Sequence, residues 1–345
     1  MTATMRAATA YDYLDVRIET RPVPRIGPGE LLVRARACGI CSGDVTPWYI
    51  RKKAPIVLGH EPVAEVVAVG EGVERFRVGT RVFVHHHVPC FACPACDRGE
   101  FVQCPTWRAT SLDPGGMAEF FRVPAMNVRA DTLPLPESIG DLDGTLIEPL
   151  ACVVKSLRRC GVLHGARVLI IGLGVMGQLH VLLARHWGAE RVIGADLRNI
   201  RCRKARELGA DFTIDCGEQE LVSAVMDYTG GRGCDIVIAG PATTEAIDLG
   251  LRCVARGGTV IQFMGTPPGE RYELDTHDLY FREVRLIPSY SAGPNDTREA
   301  LELIQNGVVR AEHVVTHVFR FPNVAEAYRT AAQEAAAIKV VVTFS

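Results

Sequence analysis

The chain has 345 residues, 48% of them hydrophobic and 23% charged, with a formal net charge of −2. That length points to two domains and that composition to ordinary globular cores, while the near-neutral charge gives no reason to expect nucleic acid or an anionic membrane as partner. No apolar run is long enough to span a bilayer, and the opening "MTATMRAATAYDYLDVR" lacks the apolar core of a signal peptide, so a cytoplasmic protein is expected.

The first third reads as strands and turns. "ELLVRARACGI" and "PVAEVVAVG" are rich in β-branched residues, and "RVGTRVFVHHHV" is a further run after a turn. Between the first two lies "CGICSGD", Cys38 to Asp44, followed by "LGHE" with His60 and Glu61 adjacent. The histidines His85, His86 and His87 fall on the expected third strand, where alternation puts His86 on the face opposite the other two. One of them could act as a base, and packing or surface roles are the commoner use. "CFACPACDRGEFVQC" then carries Cys90, Cys93, Cys96 and Cys104 in the spacing C-x2-C-x2-C-x7-C. Four thiolates close a tetrahedron around Zn²⁺ and leave no open position, which makes a structural site. An iron–sulfur cluster is the rival reading of such close spacing. The other cysteines, scattered through apolar or helical stretches, read as small buried hydrophobes.

"EPLACVVKSLRRCGV" has helical spacing, with Leu150, Val153, Val154 and Leu157 on one face. From residue 166 short apolar strands alternate with helices: "ARVLIIG", "VMGQLHVLLARHWGA", "RVIGAD", "NIRCRKARELGA", "CDIVIAG", "ATTEAIDLGLRCVARGG" and "GTVIQFMG". That rhythm predicts right-handed βαβ units on a parallel sheet. "GLGVMG" sits at its first turn, with Gly172, Gly174 and Gly177 in G-x-G-x-x-G spacing and Val175 and Met176 between the last two. It follows a strand and opens a helix, the context in which backbone N–H groups hold a pyrophosphate. Asp196 ends the next strand, where it can accept hydrogen bonds from the adenosine ribose hydroxyls. A 2′-phosphate would meet like charge there, which favours NAD over NADP, although Arg198, Arg201 or Arg203 could accommodate the phosphate. After about residue 288 a helix, "DTREALELIQNG", precedes a last strand, "KVVVTF".

"GHE", the four-cysteine lobe, "IEPLACVV" and "GLGVMG" stand in this order in the zinc-dependent medium-chain dehydrogenase/reductase family of alcohol and polyol dehydrogenases. The chain resembles that family over essentially its whole length, its sorbitol-dehydrogenase-like members in particular. The resemblance implies an α/β plus β fold. A GroES-like β-barrel catalytic domain would span residues 1–150 and 288–345, with the structural zinc lobe at 90–104. A Rossmann doubly wound parallel-sheet domain binding NAD would span 151–287. It further implies two zinc ions per chain. Cys41 and His60 would hold the catalytic one, with Glu61 a carboxylate able to approach or leave the metal and Glu148 the glutamate used where simple alcohol dehydrogenases have cysteine. Asp44 would orient His60, and Cys38 would be a bystander. Thiolate, imidazole and carboxylate with one position open to substrate suit a catalytic zinc. Homodimers or homotetramers are implied by the same analogy.

The chain departs from the family inside "CSGD". The hydroxyl expected two positions after Cys41 is replaced by Gly43, with a serine at Ser42 instead, and the histidine expected five positions after it is Thr46. Ala64 also replaces a usual glycine. Zinc acidifies an alcohol so that hydride can pass to nicotinamide, and the released proton usually leaves through that hydroxyl and that histidine. Without them it would exit through water and Glu61 or Glu148, through Ser42, or through other substrate hydroxyls. Trp48 and Tyr49 could offer a flat surface to a ring or simply fill the core. The expected activity is reversible oxidation of a secondary alcohol on a polyol, sugar, cyclitol or amino sugar. Reduction of an activated double bond or iminium-like group is the alternative, and a non-catalytic zinc and nucleotide binder is the rival from outside the enzymes.

Overall fold

The computed structural model describes residues 3–161 and 163–344. They fall into two units, one running to Ala151 and resuming at Ala292, the other from Cys152 to Ser291.

In the first unit the β-branched run after Glu30 forms the strand Leu31–Gly39, burying Leu31, Val33, Ala35 and Ala37 on one face. It pairs antiparallel with Glu61–Val69 in a register that sets Gly39 opposite Glu61. On its other side Lys339–Thr343 pairs with it, Val341 facing Gly39. The same sheet continues through Arg81–Val84 to Thr132–Pro134 and is closed at the far side by Val315–Arg320. Leu31, Val33, Val66, Val82 and Phe121 form one apolar core against this sheet. A second core gathers Ile50, Met117, Phe321, Tyr328 and Val342. The end of one strand, the start of its neighbour and the head of a third therefore meet at Gly39, Glu61 and Lys339.

The histidine run departs from expectation. The strand Arg81–Val84 stops just before it: ladder pairing with Thr132–Pro134 ends at Val84 opposite Thr132. Beyond that point the Asn127 amide donates to the carbonyls of His85 and His86, at 2.9 and 3.0 Å. Off the ladder, strand alternation no longer decides which way each ring points.

The second unit is the expected alternation of strands and helices. Its six strands lie in the order Phe212–Asp215, Arg191–Asp196, Arg167–Ile171, Cys234–Ala239, Val254–Gln262 and Arg285–Pro288, all parallel. The chain winds outward both ways from Arg167–Ile171, which makes the doubly wound sheet and puts its switch point beside the end of that strand. Leu169, Ile193, Val237 and Val260 are fully buried in its core. Among the described residues no helix is long and apolar enough to cross a membrane.

Candidate active site

Cys41, His60 and Glu61 present a thiol, an imidazole and a carboxylate oxygen that all lie within 4.8 Å of one another. Each is placed by a strand end. Cys41 follows the strand that ends at Gly39, and Glu61 opens the next. His60 follows Gly59, whose φ of +93° and whose close approach to Met117 N only glycine tolerates. Asp44 is buried, with its Oδ2 3.5 Å from His60 Nδ1, and the His60 ring also bonds the Cys41 thiol. Burial alone would depress His60, but the charges of Asp44, Cys41 and Glu148 outweigh it and hold its pKa well above the usual value. A site that concentrates negative charge around an imidazole in this way fits a divalent cation. Glu148 is 95% buried in the first turn of the helix Ile147–Cys160. Its charge reaches His60 and Glu61, yet it lies outside the set of donors within 4.8 Å.

Glu61 has a partner that no local pattern announces. Lys339, 1% exposed, donates from Nζ to Glu61 Oε2 and, at 3.0 Å, to the carbonyl of Ile40. Burial would strip the ammonium of its proton, and the Glu61 carboxylate outweighs that and keeps Lys339 charged. Gly39 makes the pair possible, because a Cβ there would lie 2.0 Å from Glu61 Oε2. Cys38 is fully buried and, by burial first, is pushed up as a thiol.

The histidines form a row rather than two faces. The His60 and His86 ring centroids are 4.8 Å apart, and those of His86 and His87 4.1 Å. His85 is turned inward, with Nδ1 2.7 Å from Asp131 Oδ2, which also accepts from Thr297. His87 Nδ1 faces the carbonyl of Thr110 at 2.5 Å. Burial holds His86 well below the usual histidine range and His87 at about 4, so both are neutral near pH 7.

Cys90, Cys93, Cys96 and Cys104 bring their sulfurs within 4.8 Å of one another. Cys93 and Cys96 are 3.6 Å apart, and Cys90 and Cys104 3.5 Å, close to the roughly 3.8 Å edge of a tetrahedron with 2.3 Å zinc–sulfur bonds. Four sulfurs this near suit one ion and leave no room for a multi-iron cage. Burial raises Cys104, but backbone N–H groups of Cys90, Trp107 and Thr106 outweigh it and bring it to about 6. The core of the lobe is small: Cys96, Val102, Cys104 and Trp107.

In the second unit Gly172 has a φ of +86° as the chain turns out of the strand Arg167–Ile171. The helix Val175–His186 starts just past Gly174, so Val175 and Met176 form its first turn. A Cβ on Gly177 would meet Gly172 O at 2.1 Å, whereas one on Gly174 would meet nothing within 4 Å. That open space beside helix N–H groups fits a pyrophosphate. Gly177→Ala should therefore unfold the loop, while Gly174→Val should fold normally and lose dinucleotide affinity by at least about tenfold. Circular dichroism and dinucleotide titration separate the two, and a Gly174→Val protein that binds as wild type would refute this placement. Asp196 accepts from Leu173 N at 2.7 Å and Arg198 N at 2.9 Å, with Arg201 Nη1 3.9 Å away. Each carboxylate oxygen keeps a second lone pair for a ribose hydroxyl.

Residues 27–136 match the family model described as alcohol dehydrogenase GroES-like domain, and residues 175–306 that described as zinc-binding dehydrogenase. An L-threonine 3-dehydrogenase of Pyrococcus abyssi is 33% identical over 331 residues, covering 93% of this chain and 92% of its own. A sorbitol dehydrogenase of Bacillus subtilis is 29% identical over 339 residues, covering 95% and 94%. A zinc-binding dehydrogenase of Sinorhizobium meliloti 1021, solved with NADP, superposes with a TM-score of 0.89 at 28% identity, covering 99% of this chain and all of that one.

Proposed function

Because this chain belongs to the zinc-dependent medium-chain dehydrogenase family, we propose that it interconverts a secondary alcohol of a polyol or sugar-like substrate and the corresponding ketone, with NAD(H) as hydride partner. The observation that carries the reading is the convergence of the Cys41, His60 and Glu61 donors beside Asp44. Cys41 and His60 would hold the catalytic zinc, with Glu61 and, on a change of its side-chain position, Glu148 as its carboxylates. Cys90, Cys93, Cys96 and Cys104 would hold the structural one. When bound, the catalytic zinc supplies Lewis acidity that makes the substrate alcohol a better acid. Asp44 fixes the ring of His60, and Lys339 occupies one oxygen of Glu61 and so limits how that carboxylate can turn. Asp196, whose charge would oppose a 2′-phosphate, favours NAD over NADP, with Arg201 paired to it at 3.9 Å. A polyol is favoured over a simple alcohol by Glu148 in "IEPL" and by the sorbitol dehydrogenase among the relatives.

The test is reduced-nicotinamide formation from NAD and from NADP across polyols, cyclitols, glycosides and simple alcohols, with Cys41→Ala alongside and zinc measured in both. Wild type should turn over a polyol with NAD. Cys41→Ala should lose roughly 10³-fold or more in kcat/KM, since a Lewis acid contributes several kcal/mol. Silence across the panel, with zinc bound and NAD affinity intact, would move the assignment to reduction of an activated double bond.

A further inference from the structure

Gly43 and Thr46 deprive the chain of the side chains through which a proton would be expected to travel, and the obvious substitutes do not serve. Ser42 is exposed to solvent, and the Thr46 hydroxyl donates to Ser42 O at 2.9 Å. The ring that carries another hydroxyl borders the site. The point where a Gly43 Cβ would stand is 3.6 Å from Cys41 Sγ and 3.6 Å from Tyr49 Cε1, so the edge of the Tyr49 ring and the Cys41 thiol flank the place of the missing serine. Tyr49 sits on the short helix Pro47–Lys53. Ile50, 1% exposed, roots that helix in the core, and Tyr49 and Lys53 share one face at i, i+4 spacing. Lys53 Nζ donates to Tyr49 Oη at 2.6 Å and lies 3.9 Å from the ring centroid. Its neighbour Arg51 is engaged by Asp12, and Lys53 has no carboxylate partner among the described residues.

We propose that Tyr49, backed by Lys53, exchanges the proton with the substrate oxygen in place of the absent relay. The proposal rests on the dehydrogenase reading above. Because Lys53 donates into Tyr49 Oη, the phenol's own proton points away from the ammonium and is free to be given. In the reductive direction hydride from the reduced nicotinamide adds to the carbonyl carbon and the C=O π pair moves to oxygen. That oxygen takes the Tyr49 proton. The resulting phenolate takes a proton from the Lys53 ammonium, and exposed Lys53 is recharged by water. Oxidation follows the same path in reverse. Burial, the largest effect, raises Tyr49. The phenol is thus protonated in the resting state, as a donor must be.

Tyr49→Phe should lower kcat about 10²-fold with KM near wild type. Lys53→Met should lower it less, and Lys53→Arg should restore it. Gly43→Ser, which has room for its side chain, should return part of the rate to Tyr49→Phe by supplying a new hydroxyl, a rescue that a packing role for Tyr49 would not produce. A readout independent of turnover is the Cζ signal of ¹³C-labelled tyrosine, assigned through Tyr49→Phe. In zinc-loaded protein it should shift on adding trifluoroethanol, an alcohol too electron-poor to give up hydride, and it should not shift in Cys41→Ala. Wild-type kcat in Tyr49→Phe, or a Tyr49 signal indifferent to trifluoroethanol, overturns the proposal. No turnover of any alcohol, with the zinc-dependent shift intact, instead removes the dehydrogenase reading and leaves the placement of the hydroxyl standing.

Discussion

Lys339→Met is expected to destabilise the first unit by about 3–5 kcal/mol, because it strands the Glu61 carboxylate in a site where both partners are 1% exposed. Melting should fall by roughly 5–15 °C. The size of the effect comes from desolvation. Methionine fills the space of the lysine stem, so packing loss is small, while the abandoned carboxylate loses its counter-ion and keeps its burial. Two further measurements identify that cause. Adding Glu61→Gln to Lys339→Met should recover most of the loss, since a neutral pair carries no stranded charge. Zinc should raise the melting temperature of Lys339→Met by more than that of wild type, because the metal offers Glu61 a replacement cation. If Lys339→Met melts with wild type in chelator, the pair does not hold the sheet junction at Gly39.

Much of this molecule could be read before it was seen, for a physical reason. The dinucleotide unit is written in local periodicity, and "GLGVMG" needs glycines at fixed places for reasons internal to one turn, so the strands, helices and loop follow from a short window of sequence. Metal donors are legible when chemistry restricts the residue type, as with the four cysteines. Contacts fixed by sheet register are not legible in that way. "KVVVTF" reads as a strand, and nothing within it says that its lysine meets a glutamate 278 positions earlier. A lysine heading an otherwise buried strand was the available signal. The three histidines were misread because strand alternation was extended past the last ladder pair, where Asn127 and Asp131 decide the ring directions instead. Tyr49 and Lys53 stood at helical spacing in plain view, but only the Cβ site of Gly43 brings the edge of the Tyr49 ring beside Cys41.

Cys104→Ser should remove the structural zinc and, with it, the order of the lobe. Cys104 is the thiol that backbone N–H groups bring to about 6, so it readily supplies thiolate. The apolar core left behind is Val102, Trp107 and half-buried Phe101 with the cysteines themselves, too little to offset the entropy of ordering the segment. Zinc content should fall by about half relative to wild type if both sites otherwise fill. Trp107, fully buried in the intact lobe, should become solvated and shift its fluorescence to the red. The consequence reaches further than the lobe. Trp107 packs on His85 and His87, at 5.1 and 5.7 Å between centroids, and Thr110, just after the helix Pro105–Ala109 that carries Trp107, fixes His87. His87 stacks on His86, and His86 on His60. A melted lobe therefore withdraws the support from one side of the catalytic donor set, and turnover should fall at least about tenfold even where the remaining zinc is retained. Trp107→Phe, which keeps the four thiols and most of the packing, should hold both zincs and most of the rate. A Cys104→Ser protein with one zinc, exposed Trp107 and undiminished kcat would show that the catalytic donors stand without the lobe.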